Sequence, residues 1–355
     1  MEIINVVIRP CTQPLSDPSW KFARAKIPEL PGYVLELTDD VGTVGFGYVN
    51  AIPAISIHEA GALASLNWIA PVLKGRRVDD IAGIMEELDA ILAFNSTVKA
   101  CVDMALHDLL ARRLGVSVGV LLGGSMRTSI AQSRILALKP PAEMGAKAAE
   151  LVEQGYKQLK LKLSGQTDLD VARLASVRDA VGPAITLTLD PNQSYNSKQM
   201  MRAFAQMERF DIALIEQPVP AADWRGLALL TKTLPVAIEA DESAQTVHDV
   251  FRLVSERTVD VINLKVTKMG GLRRFIEAAR ICEAGGVVCR LGAAFGPSLL
   301  QSVGAHAASV LKTLPYACEL SEHQHLLQDP FTELPVIDGN IMVPAGPGCG
   351  ITYAA

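Results

Sequence analysis

No two cysteines form a C-x-x-C pair; the six, Cys11, Cys101, Cys282, Cys289, Cys318 and Cys349, are scattered through 355 residues. That pattern argues against a disulfide framework or a cysteine zinc site and fits reduced thiols in the cytoplasm. No long Lys/Arg run is present and the formal net charge is −5, which argues against a nucleic-acid partner. No apolar run approaches membrane-spanning length, so no membrane partner is expected. The opening MEIINVVIRP alternates like a strand and lacks the basic-then-apolar build of a signal peptide. Low-complexity segments and solenoid periods are missing as well. Aromatic residues are only 5% of the chain, so each one outside an evident core pattern stands out.

What is present suits a soluble enzyme of two domains. Hydrophobic residues are 49% and charged residues 20%. Residues 1–50 read as strands, with Asp39-Asp40-Val41-Gly42 as a turn between Tyr33–Leu37 and Thr43–Tyr48. The segment TQPLSDPSWKFARAK reads as a mobile loop carrying Trp20, Lys21 and Phe22. Helical periodicity covers 57–113, and Gly123-Gly124 breaks it. From Ile130 short β runs alternate with helices: IAQSRILAL, QLKLKL, ITLTLD, IALIEQ, VAIEAD, VINLK, GVVCRLG and YACEL. Eight runs is the count of a (β/α)8 barrel. The expected architecture is α/β: a TIM-like barrel over 126–320, with an α+β capping domain over 1–125 completed by the tail 321–355. In that tail, 334–337 and 341–343 flank Asp338-Gly339-Asn340, a hairpin expected to rejoin the N-terminal sheet.

Three acids end successive β runs: Asp190, Glu216 and Asp241, separated by 26 and 25 residues. Lys265 follows 24 residues after Asp241. One βα unit takes about that length, so each group stands at the mouth of a parallel barrel. An acid after a strand is often just a helix cap. Three at one mouth repel unless a cation neutralises them, and oxygen ligands suit Mg²⁺. Lys160 and Lys162 alternate onto one face of QLKLKL, as a solvated strand face or as interior groups that need partners. Lysines flanking a cation site suit removal of a proton next to a carboxylate, because cation and ammonium stabilise the enediolate. Lys268 reads as part of the turn that follows Lys265. Asn192, Glu239 and Glu242 read as supporting or capping groups. His323 and His325 read as loop residues.

These motifs resemble the enolase superfamily, in its muconate-lactonizing-enzyme-like subgroup. The resemblance covers nearly the whole chain: VDMALHDLLARRLGVSVGVLLGG as the join between domains, KLK, LDPNQ, IEQP, ADES, INLKVTKMGG and the closing PAGPGCGI. It implies that Asp190, Glu216 and Asp241 bind Mg²⁺, with Mn²⁺ as a substitute. It implies that Lys162 and Lys265 are the acid/base pair, and that Lys160 neutralises the substrate carboxylate or tunes Lys162. A small carboxylate substrate and a homo-oligomer are expected. The implied outcomes are racemisation or epimerisation of an amino-acid-like carboxylate, dehydration of a β-hydroxy acid such as cis-3-hydroxyproline, or muconate-type cycloisomerisation. A catalytically silent binding protein on the same fold is the remaining alternative.

The chain departs from that pattern in places that bear on substrate. GAAFGPS lacks the Glu that several relatives carry after the seventh strand, and CELSEHQHL lacks an Asp-x-Asp pattern. Glu319 and Ser321 stand there instead; Glu319 would grip an amine or pair with Arg290. Trp20 and Phe22 are expected in a lid over the substrate, Phe295 on the opposite wall, and Asn192 beside the first acid.

Overall fold

The computed structural model describes residues 1–354. Its N-terminal unit is an antiparallel sheet of three strands, Ile3–Pro10, Gly32–Asp39 and Val44–Asn50, in that spatial order. The helix Ser96–Leu114 lies directly on it. Two glycines permit the contact: a Cβ at Gly47 would lie 1.9 Å from the Cys101 carbonyl oxygen, and one at Gly45 would lie 2.4 Å from Leu109 Cβ. Asp108 of that helix accepts from the Phe46 amide (3.0 Å), the Arg112 guanidinium (2.8 Å) and the Cys349 amide (2.7 Å). One buried carboxylate thus ties sheet, helix and C-terminal tail.

The second unit is a parallel sheet of seven strands: Ser133–Leu136, Gln158–Lys162, Thr186–Asp190, Ile212–Glu216, Ala237–Ala240, Val261–Leu264 and Val288–Leu291, each beside the next. Helices cover its outer side, so the strands are buried on both faces. The eighth run, YACEL, is no regular strand. It closes the ring through a single bridge, Gln132 to Cys318, with the Ser133 amide donating to Cys318 O and the Glu319 amide to Leu291 O. The barrel is therefore modified at its eighth position, where side-chain ties such as Leu320 N–H to Gln132 Oε1 (2.7 Å) replace part of the ladder.

Two expectations are corrected. The tail hairpin does not rejoin the N-terminal sheet; Val336–Ile337 and Asn340–Met342 pair antiparallel with Ser129–Ala131, just ahead of the first barrel strand. Ile341 faces Ile130 in that pairing and both are buried, which selects the partner. Other parts of the tail do reach the N-terminal unit: Leu326 bridges Leu15, and Phe331 and Tyr353 pack on Phe46. The loop expected to be mobile is instead pinned. Gln13–Pro14 pairs with Glu29–Leu30, the Leu138 amide donates to Lys21 O, and the Ser16 amide donates to His325 O. Leu15, Trp20, Phe22, Ile27 and Leu30 form a small apolar cluster with Ile52, Ile135, Ala137 and Phe295, separate from the main core. No helix among the described residues is long and apolar enough to cross a membrane.

Candidate active site

The mouth of the barrel, under the pinned loop, holds a cavity of about 600 Å³. Strand alternation delivers its charged floor. Gln158, Lys160 and Lys162 point inward while Leu159 and Leu161 pack toward the helices. Asp190 and Glu216 end the third and fourth strands; Asp241 and Lys265 directly follow the fifth and sixth. Lys160, Lys162, Asp190, Glu216, Asp241 and Lys265 all line the cavity, together with Trp20, Phe22, Asn192 and Phe295.

Each charge on this floor has an opposite partner. Lys162 Nζ donates to Asp190 Oδ2 at 2.5 Å, and Lys265 Nζ to Asp241 Oδ2 at 2.5 Å. Lys160 Nζ, buried, donates to Glu319 Oε2 (2.7 Å) and Glu216 Oε2 (3.0 Å), with Asp190 at 3.3 Å. Arg290, fully buried beneath, binds Glu239, Glu319 and Glu216 at 2.7–2.9 Å. Asn263 Nδ2 completes Glu216 at 3.1 Å. Bare burial of these charges would be prohibitive, and only their mutual pairing holds them.

The protonation tendencies follow from that geometry. Burial pushes the Lys160 ammonium toward losing its proton, but Glu216, Glu319 and Asp190 outweigh it and hold it well above the usual lysine range. Lys265 is likewise raised, burial being overcome by Asp241 and Glu216. Lys268 goes down, because burial and the neighbouring Lys265 outweigh Asp241. Burial and the negative charge of Asp190 raise Glu216 well above an ordinary carboxyl. Burial and the charges of Asp241 and Asp190 also raise Glu242.

Lys268 and Glu319 take different places from those expected. Lys268 is no turn residue facing solvent; it donates to Asp241 Oδ1 (2.6 Å), Asp241 O and Asn263 O. The signal was its position three residues past Lys265, one turn along the short helix Val266–Met269, which puts both lysines on one side. Glu319 does not reach the cavity. One oxygen is held by Lys160 and the Ala293 amide, the other by Arg290, so no oxygen is left for an amine. Ser321 is buried away from the cavity too, its carbonyl accepting from Arg134. The geometry realises the pairing with Arg290 in place of substrate contact.

Among the described residues, no three acid, imidazole or thiol groups converge at metal-ligand distance. The reason is visible: Asp190 and Asp241 turn toward Lys162, Lys265 and Lys268, and Glu216 toward Lys160 and Arg290. The chemistry nonetheless fits. Three carboxylates from adjacent strands border one cavity, and five bases here only balance five acids, Asp190, Glu216, Glu239, Asp241 and Glu319. A lysine acting as a base must be neutral, and that leaves negative charge that a hard cation offsets.

An acid–lysine ring at the mouth of a modified parallel barrel, capped by an α+β unit, defines a class of enzyme whose chemistry is carried by strand ends. Residues 3–123 match the family model "Mandelate racemase / muconate lactonizing enzyme, N-terminal domain", and residues 143–355 match "Enolase C-terminal domain-like". The chain belongs to the enolase superfamily, in its muconate-lactonizing-enzyme-like subgroup, and is an enzyme of that superfamily's isomerase lineage. It is 32% identical to muconate cycloisomerase 1 of Rhodococcus opacus, over 99% of this chain and 96% of that one. A dipeptide epimerase from Enterococcus faecalis, solved with Mg and the dipeptide L-Leu-L-Tyr, superposes with a TM-score of 0.95 at 29% identity, covering 99% and 100% of the two chains. An N-succinyl Arg/Lys racemase from Bacillus cereus superposes with a TM-score of 0.95 at 25% identity, covering 99% and 96%.

Proposed function

We propose that this enzyme removes the proton α to a carboxylate and returns it from the other side, racemising or epimerising an amino-acid-like substrate. One observation carries the reading. Lys162 ends the second strand and Lys265 directly follows the sixth, four positions apart in a ring of eight, and both line a single cavity. Each keeps its own aspartate at 2.5 Å. A substrate between them presents opposite faces of its α-carbon to two amines.

In the forward step the neutral amine of one lysine takes the α-proton and the C–H electron pair moves into the carboxylate, giving an enediolate. The ammonium of the other lysine then donates to the opposite face, so proton and charge balance over one turnover. Lys160, held as an ammonium, places positive charge at the floor where the enediolate oxygens develop theirs. Asp190, Glu216 and Asp241 are the residues that would hold Mg²⁺, which would supply positive charge for the substrate carboxylate. The apolar roof of Trp20, Phe22 and Phe295 keeps water from the carbanionic carbon. Relatives that act on dipeptides and N-succinyl amino acids support an amino-acid-like substrate.

A second reading is dehydration of a β-hydroxy acid such as cis-3-hydroxyproline. It is favoured by Ala293 and Ala294, whose small side chains line the wall after the seventh strand and leave room for a compact ring. In that case the enediolate expels the β-hydroxyl, protonated by the second lysine. Incubation in deuterated solvent with N-acyl amino acids, dipeptides, hydroxyprolines and muconates tests both. Label entering the α-position with inversion supports the first reading, and loss of one water without an inverted product supports the second. No exchange with any carboxylate, in Mg²⁺ or Mn²⁺, overturns both.

A further inference from the structure

The roof carries polar atoms that nothing else in the protein satisfies. Trp20, 3% exposed, lines the cavity, and its indole Nε1–H is buried without an acceptor. Asn50, also 3% exposed, ends the third strand of the N-terminal sheet and lines the same cavity. Its Nδ2 donates to the Phe295 carbonyl at 3.1 Å. A carbonyl only accepts, so that bond fixes which way the amide faces, and Oδ1 is left buried with no donor. Both atoms belong to one patch: the Trp20 ring meets the Phe295 ring edge-on at 4.8 Å, while Asn50 holds the Phe295 backbone. A buried donor or acceptor left without a partner loses the hydrogen bond that water would give it. A donor and an acceptor beside the same phenylalanine, each unanswered, point to a ligand that answers both.

We infer that Trp20 Nε1–H and Asn50 Oδ1 form a substrate subsite for a neutral group that both accepts and donates a hydrogen bond. The inference rests on the α-proton reading of the cavity and narrows its substrate class. An amide offers its carbonyl to the indole and its N–H to Asn50; a hydroxyl offers both functions on one oxygen. A diene dicarboxylate offers only acceptors, so it leaves Asn50 Oδ1 unpaired against its own lone pairs.

Calorimetric titration of the whole protein in Mg²⁺ tests this with matched probes. N-acetyl-leucine is compared with its ester isostere, 2-acetoxy-4-methylpentanoate, cis-3-hydroxyproline with proline, and cis,cis-muconate stands alone. The donor-bearing member of one pair is expected to bind about tenfold or more tightly than its partner. A gap in the first pair identifies an amide substrate, and a gap in the second a hydroxy acid. Asn50→Ala should shrink either gap to within about twofold, whereas Trp20→Phe, which keeps a ring but lacks the N–H, should shrink the hydroxyproline gap and weaken N-acetyl-leucine and its ester alike by about tenfold. Thermal unfolding reports whether each variant is folded; if Asn50→Ala is not, unweakened binding of both acyl probes and an unchanged hydroxyproline gap in Trp20→Phe overturn the subsite. Equal binding within both pairs, tightest binding of muconate, or discrimination that survives both variants overturns the subsite. Absence of α-proton exchange from every probe overturns the reaction reading instead, while the binding gap still judges the subsite.

Discussion

The floor and the roof of the cavity are built on opposite plans. The floor is charge on strands and just past their ends: Lys160, Lys162, Asp190, Glu216, Asp241 and Lys265, with Lys268 on the short helix that follows, tied together by ion pairs and underlain by Arg290. The roof is apolar and comes mostly from a loop of the other unit, with Trp20 and Phe22 packed on Phe295 and Ile135. Every ammonium and guanidinium on the floor has its carboxylate, whereas buried polar atoms of the roof, Trp20 Nε1 and Asn50 Oδ1, have none. A barrel strand gives its terminal side chain a direction set by the whole sheet, so it suits chemistry that demands fixed distances. A loop closed over the mouth can change residues without disturbing that sheet, so it suits selection among substrates.

The sharpest way to break this division is at the paired lysines. Lys162→Ala or Lys265→Ala is expected to lower turnover by on the order of 10²–10⁴-fold. Each should abolish α-proton exchange from one stereoisomer only, read by proton NMR in deuterated solvent. Loss of both stereoisomers in either variant would put the two lysines on one face and end the two-base mechanism.

Arg290→Ala addresses the floor's stability rather than its reaction. It leaves Glu216, Glu239 and Glu319 buried with too little positive charge. Unfolding free energy should fall by about 3–5 kcal/mol, measured by urea denaturation. A change under about 1 kcal/mol would mean that the ring does not depend on this guanidinium.

Acid should separate roof from floor. His325 sits against Trp20 and Phe295, and burial together with Arg134 lowers its pKa from 6.5 although Glu322 opposes this. The folded roof therefore prefers neutral His325, and the unfolded chain binds the proton first. Its stabilisation is complete above pH 6.5 and is lost as pH falls below that value. On the floor, burial alone would raise Glu319, but Arg290 and Lys160 hold it far below 4.5, so its contribution is present above pH 4.5 and is lost only below it. Tryptophan fluorescence should therefore begin to change at a higher pH than the global circular dichroism signal. Coincident transitions would join the two regions into one titrating unit.

The smallest effect is expected from Phe22→Leu. Phe22 is a buried roof residue whose ring lies 5.6 Å from the Lys162 ammonium. Keeping an apolar side chain there should raise KM a few-fold, lose about 1 kcal/mol of cation–π and packing energy, and leave kcat nearly unchanged. A kcat loss as large as that of the lysine variants would move Phe22 from selection into chemistry.

The floor was legible in the linear chain because its members obey a rule that is itself local. An acid or lysine at the end of a β run, repeated every 24–26 residues, is placed by the repeat of the βα unit. The roof was legible only as a suspicion. Trp20 and Phe22 stood out as apolar residues between prolines, yet nothing local indicated that backbone bonds from Leu138 and Ser16 pin their loop. Lys268 was misread because its partner, Asp241, lies 27 residues away and is brought to it only by the barrel's closure. Glu319 illustrates the same gap. Amine recognition and a buried pair with Arg290 were both open until the ring placed Lys160 and Arg290 on either side of it.

By itself the sequence determined the order of strands and helices, the two-unit organisation of the motifs, and the identity of the acids and lysines at the mouth. These follow from hydrophobic periodicity and repeat length, which act over a few residues at a time. Tertiary structure decided which charge neutralises which, that the loop is fastened, that the tail hairpin joins Ser129–Ala131, and that Asn50 meets Phe295 across 245 residues of chain. Those outcomes depend on long-range closure. The strength of an ion pair or of an unanswered hydrogen-bonding atom is set by how completely the folded protein excludes water around it, and no stretch of sequence contains that quantity.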